Sequence, residues 1–290
     1  MEFFWHYSAI GIAAGGVYAL IALGVVVIFK SSQTFNFAMG EMMTLSAYLF
    51  YTFAVTYSFG IAFGLIAALI GSIFVALLIE RTVLRPMMGR PFIAIVMVTF
   101  GVGGILRGII SIIWGPEDLM VPSLLARAPV MLGEVLIPGK TARAFAIAVF
   151  IVISLIVYLR YSRAGIALRA AAADQITAYS MGIDVRRVIA FSWAIAAITG
   201  CISGVLIANV NSLTPHMGLI VLNVLSVIIL GGMNSIGGVL IAGLIIGWLE
   251  AMTGMLLGSQ YREITPYILA LLVLVFRPTG LFGTKEIERI

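Results

Sequence analysis

The sequence predicts an all-α, polytopic transmembrane helical bundle of about nine spans, and three observations predict it. Apolar residues make up 62% of the chain and charged residues 10%, against roughly 45–50% and roughly 25% in an average soluble domain. The apolar residues gather into runs of about a helix length, and about 20 such residues cross the hydrocarbon core. The basic residues lie between these runs and, in a nine-span arrangement, mostly on one side.

In chain order the spans are predicted over Ser8–Phe29, Ala38–Thr56, Phe59–Ile79, Phe92–Ile113, Ala144–Leu159, Val188–Ala208, Gly218–Leu230, Val239–Leu257 and Pro266–Phe276. The first run has no basic segment before it and no small-residue cleavage site after it, so it reads as a retained span. Two of the last three fall short of a full crossing, which leaves the count open between eight and ten. Lys30, Arg81, Arg85, Arg90, Arg160, Arg163, Arg169, Arg186, Arg187, Arg277, Lys285 and Arg289 share one side. Only Arg127, Lys140, Arg143 and Arg262 share the other. Basic residues concentrate in cytoplasmic loops, so the N-terminus is predicted outside and the C-terminus inside.

The net charge of +5 then reflects topology and lipid headgroups, and nothing in it points to nucleic acid. Cys201 is the single cysteine and lies within a span, which excludes an intrachain disulfide. His6 and His216 are far apart, so a metal site is not expected. The run Gly133–Thr141 resembles a phosphate-binding loop but has five residues between its glycines where four are needed. It also contains Pro138 and is predicted to follow no strand. No nucleotide site is read in this chain.

Two connections are long. The external one, 114–143, is rich in Pro and Gly and reads as an ordered loop with at most short helices. The internal one, 160–187, is rich in alanine and basic residues, with one or two short helices over Arg163–Ser180 and a break at Gly182. Small-xxx-small pairs recur in the spans, at Gly11/Gly15, Gly60/Gly64, Gly104/Gly108, Gly200/Gly204, Gly243/Gly247 and Gly254/Gly258. Such pairs let helix backbones approach closely in lipid.

Charges within a span are expensive, about 2.5–3.5 kcal/mol each on insertion scales. Arg107 is expected to snorkel toward the interface, and Glu41 and Glu250 to sit in structural hydrogen-bonded networks. An ion-coupled secondary transporter or channel would instead use all three as a relay. The segment Asn36–Glu41 places Asn, Gly and Glu at a span entrance, and Leu230–Gly238 is a small-residue break between two short runs. Irregular backbone of this kind either makes a tight turn or faces a substrate cavity. The residues read as pathway candidates are Asn36, Met39, Gly40, Glu41, Asn223, Gly231, Gly232 and Asn234.

Several pieces together resemble the LivH-type permeases of branched-chain amino acid ABC importers: Gly16–Gly24, Asn36–Glu41, Glu80–Pro86, Arg169–Val188 with Met181-Gly182-Ile183-Asp184, Leu230–Gly238 and Arg277–Gly283. Their order and spacing cover nearly the whole chain. Met39 departs from the pattern, since relatives often carry His or Gln there. The resemblance implies a single permease domain over 1–290 in a bacterial inner membrane. Its implied partners are a second homologous permease, two cytoplasmic ATPase subunits that use ATP and Mg, and a periplasmic binding protein. It also implies a coupling helix within Ala164–Ile183, with Ala164, Gly165, Arg169, Ala173, Asp174, Ala178, Met181, Gly182 and Ile183 at the ATPase contact. The other reading of that segment is an amphipathic helix held by anionic lipid.

Overall fold

The computed structural model describes residues 2–283 except 122–124, 126–127 and 133–134. Gly133 of the phosphate-loop look-alike and Arg127, Lys285 and Arg289 of the charge count lie outside the described residues. The order is α1 (Glu2–Ser32), α2 (Met39–Tyr51), α3 (Ile61–Ile79), α4 (Phe92–Trp114), β1 (Val130–Leu132), β2 (Val135–Ile137), α5 (Gly139–Tyr161) and α6 (Arg163–Ala173). Then come α7 (Gln175–Ser180), α8 (Val185–Val210), α9 (Ile220–Gly231), α10 (Gly238–Leu256), α11 (Ser259–Arg262) and α12 (Thr265–Phe276). Among the described residues six helices are long and apolar enough to cross a membrane: Phe3–Ser32, Ile61–Met87, Phe92–Trp114, Gly139–Tyr161, Val185–Val210 and Gly238–Leu256. The runs predicted at Ala38–Thr56, Gly218–Leu230 and Pro266–Phe276 are helical but shorter.

The 114–143 connection departs from expectation. It holds an antiparallel hairpin, β1 on β2, pairing Val130 with Ile137 and Leu132 with Val135. A strand therefore does precede the phosphate-loop look-alike, and β2 fills the middle of it, leaving no loop to cradle a phosphate.

Contacts divide the chain into two compact units, one of residues 27–125 and 157–221, the other of 1–26, 126–156 and 222–290. In the first, α2 is enclosed by α3, α4 and α8, with Met39, Met43, Tyr48, Phe50 and Trp193 fully buried. Ser46 of α2 and Ser72 of α3 share a 2.7 Å hydrogen bond, and Ser72 Oγ also donates to the Ala197 carbonyl of α8 at 3.2 Å. Polar cross-links of this kind join helices where hydrophobicity alone gives no drive to associate. At the far end of α2 the Trp114 indole donates to Thr52 Oγ1 at 2.8 Å.

In the second unit the first part of α1 runs against α10 through opposed glycines. A Cβ on Gly15 would stand 2.9 Å from Leu244 Cα, and one on Gly11 would stand 2.6 Å from the Gly247 carbonyl oxygen. Two of the sequence's small-residue pairs, Gly11/Gly15 and Gly243/Gly247, are thus one notch. The Arg277–Gly283 segment folds back onto the end of α9, where the Leu281 N–H donates to the Leu230 carbonyl at 2.8 Å. Gly232, at φ +95°, sits against it, and a Cβ there would meet Gly283 N at 2.6 Å. Two separate pieces of the sequence pattern therefore form one joint.

Candidate functional site

The entrance to α2 is built from its own polar side chain. Asn36 Oδ1 accepts from the Ala38 N–H at 3.0 Å, an Asx turn that sets the chain up for helix. Asn36 is buried, as are Met39, Gly40 and Glu41. Phe37 stacks on Phe100 of α4 at 4.3 Å, and its N–H donates to Thr99 Oγ1. The Met39 side chain fills the space left by Gly200 of α8, and Gly40 lies so close to the Gly218 carbonyl that any side chain there would overlap it.

Glu41 lies in the first turn of α2, where the helix dipole favours a negative charge. Arg107 of α4 donates to its Oε1 through Nε at 3.0 Å and through a second guanidinium nitrogen. Arg107 was expected to snorkel; it turns to Glu41 instead, because a buried carboxylate one helix away offers a charge-assisted bond that outweighs an interface some turns off. The other carboxylate oxygen, Glu41 Oε2, is buried without a hydrogen-bond partner among the described residues, facing Gly218.

The second carboxylate, Glu250 of α10, is also buried in a network. Its Oε2 accepts from the Tyr18 hydroxyl of α1 at 2.9 Å, and its Oε1 accepts from Asn223 Nδ2 of α9 at 3.4 Å. The Tyr267 hydroxyl of α12 donates to Asn223 Oδ1 at 2.8 Å. Arg262 stands 4.0 Å away, a charge partner beyond hydrogen-bond distance. Sequence reasoning found Asn223 and Glu250 but missed Tyr18, Tyr267 and Arg262. Arg262, a basic residue on the sparsely charged side, carried the one available signal.

The break after α9 brings Gly231 and Gly238 into backbone contact, with the Gly238 N–H held by Ser235 Oγ at 3.0 Å. Asn234 lies within this turn. The Asn36–Glu41 group and the Asn223–Asn234 group belong to different units.

The 160–187 connection forms an elbow of two short helices, as expected. Ser162 caps α6 by accepting from the Gly165 N–H at 3.0 Å. Gly165 has no room for a side chain, since a Cβ would stand 2.8 Å from Leu159 Cα. Arg169 reaches back to the end of α5, donating to the carbonyls of Leu159 at 2.6 Å and Arg160 at 3.1 Å, which α5 itself leaves unmet. Asp174 caps α7, accepting from the Thr177 hydroxyl and from the Ile176 and Thr177 N–H groups. The Thr177 hydroxyl bond, with these backbone bonds, holds the Asp174 carboxyl below the usual carboxylate range. Gly182, at φ +85°, closes α7: its N–H donates to Tyr179 and that of Ile183 to Ala178, a Schellman end. Ala164 is half-buried, and Ala178 points into the protein. Ala173, Ile176 (80%), Tyr179 (73%) and Met181 (80%) are exposed.

This chain matches the family model described as branched-chain amino acid transport system / permease component over residues 8–276. The chain belongs to that family. It is a multi-pass membrane protein and the permease component of an ABC importer. Among curated relatives, the high-affinity branched-chain amino acid transport system permease protein LivH of Escherichia coli K12 is 31% identical, covering 97% of this chain and 96% of its own. LivH of Salmonella typhimurium LT2 is also 31% identical with the same coverage. BraD of Pseudomonas aeruginosa, named as the corresponding permease, is 28% identical over 97% and 96%. The solved structure of PsaBC from Streptococcus pneumoniae in complex with Fab shares the fold, with a TM-score of 0.53 at 11% identity, covering 96% of this chain and 93% of that one.

Proposed function

We propose that this permease forms the pathway by which branched-chain amino acids, or a related small polar solute, cross a bacterial inner membrane at the expense of ATP hydrolysed by partner subunits. The single observation that carries the reading is the family match from residue 8 to residue 276. The assembly would hold a second homologous permease and two cytoplasmic ATPases that bind ATP and Mg, fed by a periplasmic binding protein. The chain would cross nine times, with its N-terminus periplasmic and its C-terminus cytoplasmic, in keeping with the distribution of Lys and Arg.

Coupling would run through Ala164–Ile183. The elbow supports this by its build: it is fixed to α5 by Gly165 and Arg169, is capped by Asp174 and Gly182, and holds Ile176, Tyr179 and Met181 out of the fold. Exposed apolar side chains on a firmly capped turn suit a shape-matched protein cleft. In the first unit the pathway candidates would be Asn36 and Glu41, with Met39 and Gly40 at the same entrance; in the second they would be Asn223 and Asn234, with Gly231 and Gly232 shaping the break. Irregular backbone at membrane depth is tolerated where protein or water surrounds it.

Uptake and topology test the reading. Leucine accumulation by the complete transporter should fail on ATP depletion and survive an uncoupler; the opposite pattern would favour the ion-coupled alternative. A cysteine at Met131 should react with an impermeant thiol reagent from outside, and one at Thr177 only after permeabilisation. Reversed labelling overturns the orientation.

A further inference from the structure

Glu250 is an underserved carboxylate. Its side chain is 3% exposed, and an ionised carboxylate has about four acceptor positions to fill when taken out of water. Among the described residues it receives one firm hydrogen bond, from Tyr18 at 2.9 Å, and one long one, from Asn223 at 3.4 Å. The cation nearest to it, Arg262, stands off at 4.0 Å with half its side chain exposed. Arg262 ends the four-residue turn α11, and its stem lies over Gly254, within 3.6 Å of where a Cβ there would stand. A Cβ on Gly254 would make only ordinary contact with the arginine stem, which lies along this stretch of α10. Beside them Tyr267 is 46% exposed and holds Asn223 by its amide oxygen.

We propose that Glu250 and Arg262, with Asn223 and Tyr267, form an entry site for an amino-acid zwitterion at the periplasmic mouth, with Arg262 as the displaceable occupant. The inference rests on the importer reading and its orientation, which puts the α10–α12 turn outside. The solute's ammonium takes the place of the guanidinium on Glu250 and makes the charge-assisted bonds Arg262 does not make. Its carboxylate then pairs with the released Arg262. Two charge-assisted bonds of about 2.8 Å, plus the width of a zwitterion, separate the two side chains by roughly 7–8 Å. Arg262 must swing outward from 4.0 Å by about half its own length, which a half-exposed arginine on a short turn does without moving a helix. The site recognises the two charges common to every α-amino acid and leaves the side chain unread, which fits a permease whose selectivity is set by a delivering protein.

The test uses the complete transporter with its binding protein and leucine as probe. Arg262→Gln should leave the amount of assembled complex unchanged and lower leucine uptake by about tenfold or more, with Arg262→Lys recovering much of it. In a Tyr261→Cys background, leucine with the binding protein should slow labelling by an impermeant maleimide. Arg262→Gln should abolish that protection. Normal uptake by Arg262→Gln, equal labelling with and without leucine, or loss of assembly in step with uptake each overturn the site. If the unaltered transporter takes up no leucine on ATP, the functional reading falls and this site falls with it. Leucine uptake by the unaltered transporter with an indifferent Arg262→Gln overturns the site alone.

Discussion

Arg107 and Glu41, 66 residues apart, are joined across α4 and α2 by a hydrogen bond of 3.0 Å from Nε to Oε1, with the carboxylate almost wholly buried and the guanidinium one-third exposed. Breaking such a pair from one side strands a charge. Arg107→Leu should cost about 3 kcal/mol, the low end for a buried pair because Arg107 is partly exposed. Glu41→Gln with Arg107→Leu should recover most of that loss. Cys201 is buried in α8, so its reaction with a thiol-reactive dye on heating gives the unfolding temperature of each variant. A double variant no more stable than Arg107→Leu would show that the pair is not the source.

The glycines at the two breaks are fitted to their neighbours. Gly40→Leu would drive into the Gly218 carbonyl and Gly232→Leu into Gly283. Both should lower assembly and uptake together, each by overpacking worth about 1–3 kcal/mol or more. Comparing complex yield with uptake checks this; normal yield with blocked flux would make the breaks an obstruction point in the channel instead.

The exposed face of the elbow should behave differently from its buried face. Met181→Asp and Tyr179→Ala should leave the Cys201 unfolding temperature unchanged and reduce co-purification of the ATPase. Ala178→Asp, which buries a charge, should lower the unfolding temperature first. Unaltered ATPase binding by Met181→Asp would move the docking surface elsewhere.

The Asp174 cap gives a pH dependence of defined sign. Its folded pKa is depressed by the hydrogen bonds it accepts, so the stability it contributes is present above the ordinary aspartate value. That contribution is lost only as pH falls below 3.8 and through the lower folded value. The Thr177 amide resonance in a labelled sample should therefore stay constant from neutral pH down through 5 and shift below 3.8. A midpoint at or above 3.8 would contradict the cap.

Legibility divided along the range of the interactions. Hydropathy located the long apolar helices, because crossing a bilayer constrains each segment locally, and the elbow was readable from its alanine-rich composition and the break at Gly182. The hairpin at Val130–Ile137 was not, since three-residue strands are too short to show alternation. Arg107 was misread because its partner lies on another helix. The opposition of Gly15 to Gly243 and of Tyr18 to Glu250 has no local signature, as each joins residues more than two hundred positions apart.

That separation also sets a timetable. The notch on α1 is made before the helix that fills it, and the Glu250 that Tyr18 holds follows 232 residues later. At about 5–20 residues per second the ribosome needs roughly 10–50 s to deliver it. Through that interval α1 presents an unfilled glycine groove and an unmatched tyrosine hydroxyl to lipid, or to a chaperone of the insertion machinery. Of these two helices, the one made earlier must wait for the later one before its groove is filled.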